Sequence, residues 1–230
     1  MGRDRRYNQA GIIHHIVNRG NNRQAIFLEG TDQRHYLRCL YNYKKKYQFQ
    51  LYAFCLMTNH VHLLLRVGVK GNLSKIMQSL AVAYCRWYHY KYRCSGHIWQ
   101  GRFSSSIVSD DEYLLTAMQY VEENPVRAGI VKEIGDYLYS SYKLNVRYKS
   151  SKLIDREENP AYKALGQDEE SRSTAYRKLM VNRLDEHRLD EVRKSFEGNK
   201  GFMSERFRRQ REEMLPKKRL RGRPRKIINV

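Results

Sequence analysis

Apolar positions along the chain recur with two periods, and the switches between them mark the elements. GIIHHIVNRG (11–20) is β-branched, apolar and closed by glycine, which predicts a strand followed by the loop NRGNNRQ. From Thr31 to about Tyr47 the spacing becomes helical, with Tyr36, Leu37, Leu40 and Tyr43 or Tyr47 on one stripe. QFQLYAFCLM and HVHLLLRV are two apolar runs either side of Thr58-Asn59, so they predict a close antiparallel pair. A second helix is predicted over 73–92, its stripe made by Ile76, Met77, Leu80, Ala83, Tyr84 and Trp87. GHIWQGRF reads as a loop and FSSSIVS as another short strand. Ser109 to Glu112 has the S-x-x-E pattern of a capping box, opening a helix through Leu114, Leu115, Met118 and Tyr120. Asn124-Pro125 should stop it, because the residue before proline is pushed out of helical geometry.

The order strand, helix, strand, strand, helix, strand, helix predicts an α+β fold, an antiparallel sheet with packed helices, over residues 1–143. Beyond it the composition shifts. Residues 144–170 are polar and are expected to be an irregular linker. Residues 171–215 predict two or three short helices, on Tyr176/Leu179/Met180/Leu184, Leu189/Val192/Phe196 and Phe202/Phe207/Leu215, which could form a helix-turn-helix-like reader of duplex DNA. Residues 216–230, with PKKRLRGRPRK, are too basic to pack and form a tail.

Charge narrows the class of partner. Lys and Arg number 44 against 24 Asp and Glu, a net +20, and both parts share the excess. Residues 1–150 hold 22 basic and 10 acidic side chains, and 151–230 hold 22 and 14. That distribution points to a polyanion, most simply nucleic acid. Eighteen tyrosines, several interleaved with Lys and Arg as in YNYKKKY and RWYHYKYR, offer stacking surfaces for unpaired bases; the plainer reading of any one of them is ordinary half-buried core. No apolar run approaches membrane-spanning length and MGRDRRYNQ lacks a signal-peptide core, so a cytoplasmic, nucleoid-associated protein without membrane contact is expected. Its four cysteines are then expected to be reduced thiols. Cys85, His89, Cys94 and His97 make C-x3-H-x4-C-x2-H, which matches no common zinc finger.

Chemistry enters with LMTNHVHLLLRV (56–67). Residues two apart on a strand share a face, so His60 and His62 point the same way and could be paired metal ligands. On this pattern alone the plainer reading is a pair of strand histidines satisfied by backbone or tyrosine hydroxyls. In AMQYVEENPVRAG, Tyr120 and Asn124 are four apart and stack on one helical face. A tyrosine can attack phosphorus, but a phenol with an ordinary pKa near 10 needs help at neutral pH. An amide oxygen one turn away would complete a nitrogen- and oxygen-rich site suited to Mg²⁺ or Mn²⁺. The plainer alternative makes Tyr120 core and Asn124 a helix stop.

NRGNNRQAIF, CLMTNHVHLLL, GHIWQGRF, YVEENPVRAGIV and YSSY, in that order over residues 7–143, resemble the single-tyrosine HUH transposases, and within them the REP-associated tyrosine transposases. The resemblance implies an HUH endonuclease-like sandwich, similar to ferredoxin or RRM folds. It implies that His60 and His62 bind a divalent metal, Mg²⁺ or Mn²⁺, with Asn124 as the third, metal-proximal amide. It further implies that Tyr120 attacks a phosphodiester of single-stranded DNA, leaving a 5′-phosphotyrosine and a free 3′-hydroxyl. Tyr113, two turns before Tyr120, is matched by no motif. The implied substrates are hairpins of palindromic repeats, with Arg19, Asn21, Arg23 and Arg102 as candidate DNA contacts, and the implied state is a monomer rather than a helix-exchanging dimer. RGRPRK, with Arg221, Arg223 and Arg225, resembles an AT-hook suited to narrow A·T-rich minor grooves. Two other classes stay open: a catalytically silent nucleic-acid-binding repressor or structural factor retaining the fold, and an RNA-binding protein.

Overall fold

A computed structural model describes residues 10–69, 71–109, 112–147, 151–197 and 201–214. Four strands, β1 (Ile13–Arg19), β2 (Gln50–Met57), β3 (His60–Arg66) and β4 (Ser104–Val108), form one sheet in the order β2-β3-β1-β4, antiparallel at every pairing. The turn Thr58-Asn59 joins β2 to β3 directly, with Met57 opposite His60. Connections between the other strands carry the helices.

Helices α1 (Gly30–Tyr47) and α2 (Leu73–Tyr92) lie on one face of the sheet. Their stripes, including Tyr36, Leu40, Ile76, Leu80 and Tyr84, meet Ile16, Phe54, Val61, Leu63 and Leu65. Glu29 caps α1, in a reciprocal box with Asp32. The buried Asp32 carboxylate then ties α1 to the end of α2 through Lys91 at 2.6 Å and the Tyr92 hydroxyl at 2.9 Å.

On the opposite face, α3 (Glu112–Glu122) and the short α4 (Asn124–Arg127) pack with Ile13, Ala53, Cys55, Met57 and Leu64. A β-bulge between Leu51 and Ala53 turns Tyr52 and Ala53 both toward this face and restores the alternation beyond.

The remaining helices are α5 (Tyr142–Asn145), α6 (Pro160–Lys163), α7 (Glu169–Val181), α8 (Glu186–Glu197) and α9 (Glu205–Met214). Residues 151–165, expected to be irregular, supply packed parts of the body: Ile154 joins the α1/α2 core, and Ala161 and Tyr162 join the α3 core. Phe202, expected on a helix, instead forms a parallel bridge to Val108. Its N–H donates to the Ile107 carbonyl at 2.7 Å, and its carbonyl accepts from the Ser109 N–H at 3.1 Å. An exposed edge strand offers unpaired backbone groups, and the chain after α8 fills them. Among the described residues no helix is long and apolar enough to cross a membrane.

Candidate active site

β3 begins at the tight turn Thr58-Asn59, so His60 sits at the mouth of the sheet and His62 one step inside. Both point to the α3 face, while Val61 and Leu63 enter the α1/α2 core. The ring centroids of His60 and His62 are 4.9 Å apart. Burial pushes the His60 imidazole down to about 4, helped by the Arg19 charge. Burial also holds His62 well below the ordinary range, assisted by His15, His60 and the Arg127 guanidinium. Both rings are therefore neutral near pH 7, the form that ligates metals.

A third imidazole, His15 of β1, was not singled out by the sequence. It is buried, and burial takes its pKa down to about 3. Its Nε2 lies 2.9 Å from Nδ1 of His62, in a hydrogen bond between neutral rings. For His62 to present Nε2 as a lone pair, its Nδ1 must hold the proton and donate it to His15. His60 is arranged likewise: Nδ1 donates to Oδ1 of Asn59 at 2.6 Å, leaving Nε2 as the ligating atom. A partner on the second nitrogen is how ligand histidines are held in orientation and tautomer.

α3 carries Tyr120 over this group. Its ring centroid is 6.1 Å from His62 and 5.9 Å from His15, edge-on to both. The Arg127 guanidinium lies over the same ring at 4.5 Å, bonds the Tyr120 carbonyl, and pairs with Glu123 at 2.8 Å. Phe196 of α8 closes the far side, stacked on His15 at 3.8 Å and edge-on to Tyr120 at 5.3 Å. Arg127 and Phe196 also escaped the sequence reading as site residues. Phe196 is 76 positions from Tyr120, and nothing local announces the contact.

Asn124 follows at the start of α4, where its amide N–H groups donate to the carbonyls of Tyr120 at 3.0 Å and Val121 at 3.1 Å. Its Oδ1 is the amide's remaining acceptor. Among the described residues no group of three or more His, Cys, Asp or Glu could hold a metal ion, which includes the Cys85/His89/Cys94/His97 set. The histidine pair offers two nitrogens and Asn124 Oδ1 is a candidate oxygen donor, a mixed set of a kind that can hold a divalent cation.

Arg19 lies opposite His60 across β1–β3, and Asn21 and Arg23 follow in the short 3-10 turn beside it. Arg102 is exposed two residues beyond Gln100, whose N–H donates to the Arg19 carbonyl at 2.8 Å. These four thus gather at the His60 end of the sheet. Tyr113 packs against Phe202 and Arg188, away from that end. Arg221, Arg223 and Arg225 lie outside the described residues.

Comparison with known proteins shows the family and the fold. A Haemophilus influenzae protein, provisionally named a REP-associated tyrosine transposase, is 31% identical over 116 residues. That match covers 44% of this chain and 63% of the relative's length. A solved structure of a REP-associated tyrosine transposase bound to a REP hairpin superposes with a TM-score of 0.53 at 23% identity, over 64% of this chain and 86% of the other, and shares the fold. The profile of the family described as transposase IS200 like matches residues 8–124, half of the chain, and the chain belongs to that family.

Proposed function

We propose that this protein is a divalent-metal-dependent transposase that nicks and rejoins single-stranded DNA at palindromic hairpins, with Tyr120 as the nucleophile. The observation that carries the reading is the Tyr120 ring edge-on to His62, whose ring lies 4.9 Å from that of His60, with Nδ1 of each of these two histidines bonded to His15 or Asn59 so that Nε2 is the atom left for a metal. The solved relative, bound to a REP hairpin, suggests the same class of substrate, and the net charge of +20 suits it.

His60 and His62 would hold the ion, with Asn124 Oδ1 as a candidate oxygen donor. A bound Mg²⁺ or Mn²⁺ supplies charge that stabilises oxygens of the scissile phosphate. The chain's own groups do the rest. His15 and Asn59 keep the two ligating rings turned outward. Arg127 and Phe196 confine the Tyr120 ring. Its hydroxyl oxygen attacks phosphorus in line, the P–O3′ bond breaks, and the 3′ oxygen leaves with a proton as a free hydroxyl. The tyrosine proton goes to solvent, and the 5′-phosphate stays on Tyr120 until a 3′-hydroxyl reverses the step. Tyr120 faces histidines of its own chain, so the site needs no second copy, which supports a monomer.

A second reading, a silent DNA binder, draws on the net charge of +20, which binding without turnover would also explain. One experiment separates the two. Purified protein is incubated with a labelled hairpin oligonucleotide and Mn²⁺, and covalent adduct is scored on a denaturing gel. Adduct is expected with the native chain and lost in Tyr120→Phe. His60→Ala should abolish adduct while retaining hairpin binding. Adduct formed equally by Tyr120→Phe would remove Tyr120 from its role, and binding without adduct under any divalent metal would favour the silent binder.

A further inference from the structure

A groove of about 320 Å³ opens next to His60, between the β2–β3 turn, the loop after β1 and the turn after α4. Ala25, Met57, Ala128 and Ile130 make its walls apolar, and Arg23 and Asn59 lie along it. Ile130 is 46% exposed, an aliphatic side chain left in water.

The loop that carries Arg23 is held in an unfavourable conformation. Asn22 and Arg23 are both left-handed, with φ of 48° and 59°, which costs a non-glycine residue about 1–3 kcal/mol. The surroundings over-determine it. The Asn59 amide donates to the Arg23 carbonyl at 3.0 Å, the Gly20 N–H to the Asn59 carbonyl at 2.8 Å, and the Ile26 N–H to the Thr58 carbonyl at 2.9 Å. A Cβ at Gly20 would collide with the Gln24 carbonyl oxygen, so the turn requires glycine. Asn59 is also the acceptor that orients His60. One side chain therefore fixes both the candidate ligand and the loop beside it.

We propose that this groove receives the unpaired nucleotide adjoining the scissile phosphate, its base against the apolar walls and its outer phosphate on Arg23, and so selects the base at the cut. The inference rests on the proposed function for the seat of the scissile phosphate. Continuity with His60 decides the occupant: His60 itself lines the groove, so the nucleotide next to a phosphate seated at the histidine pair is within its reach. Aliphatic walls with a guanidinium suit the flat face of a base and the charge that follows it. A free hydrophobic ligand would have no use for that charge.

The test uses the full chain without metal, so that it does not depend on cleavage. A hairpin oligonucleotide carries 2-aminopurine at each unpaired flanking position in turn. One position is expected to change its fluorescence on binding. Ala128→Phe, which fills the groove, should abolish that change, and an abasic site there should weaken native binding about 10-fold while costing Ala128→Phe nothing more. Arg23→Met is the second variant, in case the filled groove disturbs folding. It should lose the same signal and become insensitive to a methylphosphonate at the next phosphate. The proposal is overturned if no position responds, if the response survives both variants, or if the abasic penalty persists unchanged in Ala128→Phe. A groove-dependent signal in a protein that forms no Tyr120 adduct in the separate Mn²⁺ assay would instead overturn the proposed function and leave the groove standing.

Discussion

Each imidazole of the site has a separate task, and His15 shows how far a single hydrogen bond reaches. It is not itself an expected ligand, yet its bond to Nδ1 of His62 decides which nitrogen of that ring is free. Losing such a partner typically costs 10- to 100-fold in metal affinity. His15→Leu should therefore weaken Mn²⁺ binding by about that factor in isothermal titration without DNA. His15→Gln, whose amide oxygen can accept the same proton, should recover part of the loss. Equal affinities in the native and Leu proteins would refute the role. At this scale the sequence was legible where the pattern is local. The His-x-His pair and the Tyr120/Asn124 spacing could be seen because strand and helix periods alone put each pair on one face. His15 gave a signal too, an ionisable residue inside an apolar strand, but its partner lies 47 positions away and only the β1–β3 register joins them.

Among the elements, α3 holds the site in place, and Glu122 anchors α3. Its carboxyl is fully buried, and burial pushes its pKa up to about 7 against the pull of its hydrogen bonds. Ser141 donates to it at 2.5 Å, Asn145 at 2.7 Å and Tyr176 at 2.9 Å, so one side chain joins α3 to α5 and to α7. Glu122→Ala would strand three buried donors. We expect a loss of about 3 kcal/mol and a Tm lower by roughly 6–12 °C in thermal unfolding. Glu122→Gln, which keeps acceptors for part of the set, should lose much less. An unchanged Tm in the Ala variant would show that the three donors find other partners. Predicted element types held for the strands and the long helices, whose apolar periods run over several turns. Phe202 departed because its backbone fills the open edge of β4, a vacancy that no window of sequence displays.

The whole molecule is a strongly basic chain built around a sheet covered on both faces, with the candidate site at one end of that sheet. Seven Lys and Arg residues lie within 216–230. Deleting that segment should lower affinity for duplex A·T-rich DNA and flatten the salt dependence of binding, since every phosphate the protein no longer neutralises takes about one unit off the slope. An unchanged slope in a filter-binding salt series would exclude the segment from DNA binding. By itself the sequence determined the strongly basic charge, the α+β order of elements, and which residues share a strand or helix face, because charge and periodicity are additive or local. Tertiary structure alone decided that the helix bearing Tyr120 crosses over His62, that His15, Arg127 and Phe196 confine that ring, and that a groove opens beside His60. Those facts depend on which strands become neighbours and which helix covers which face. Packing of the whole chain sets that choice, and no stretch of residues encodes it separately.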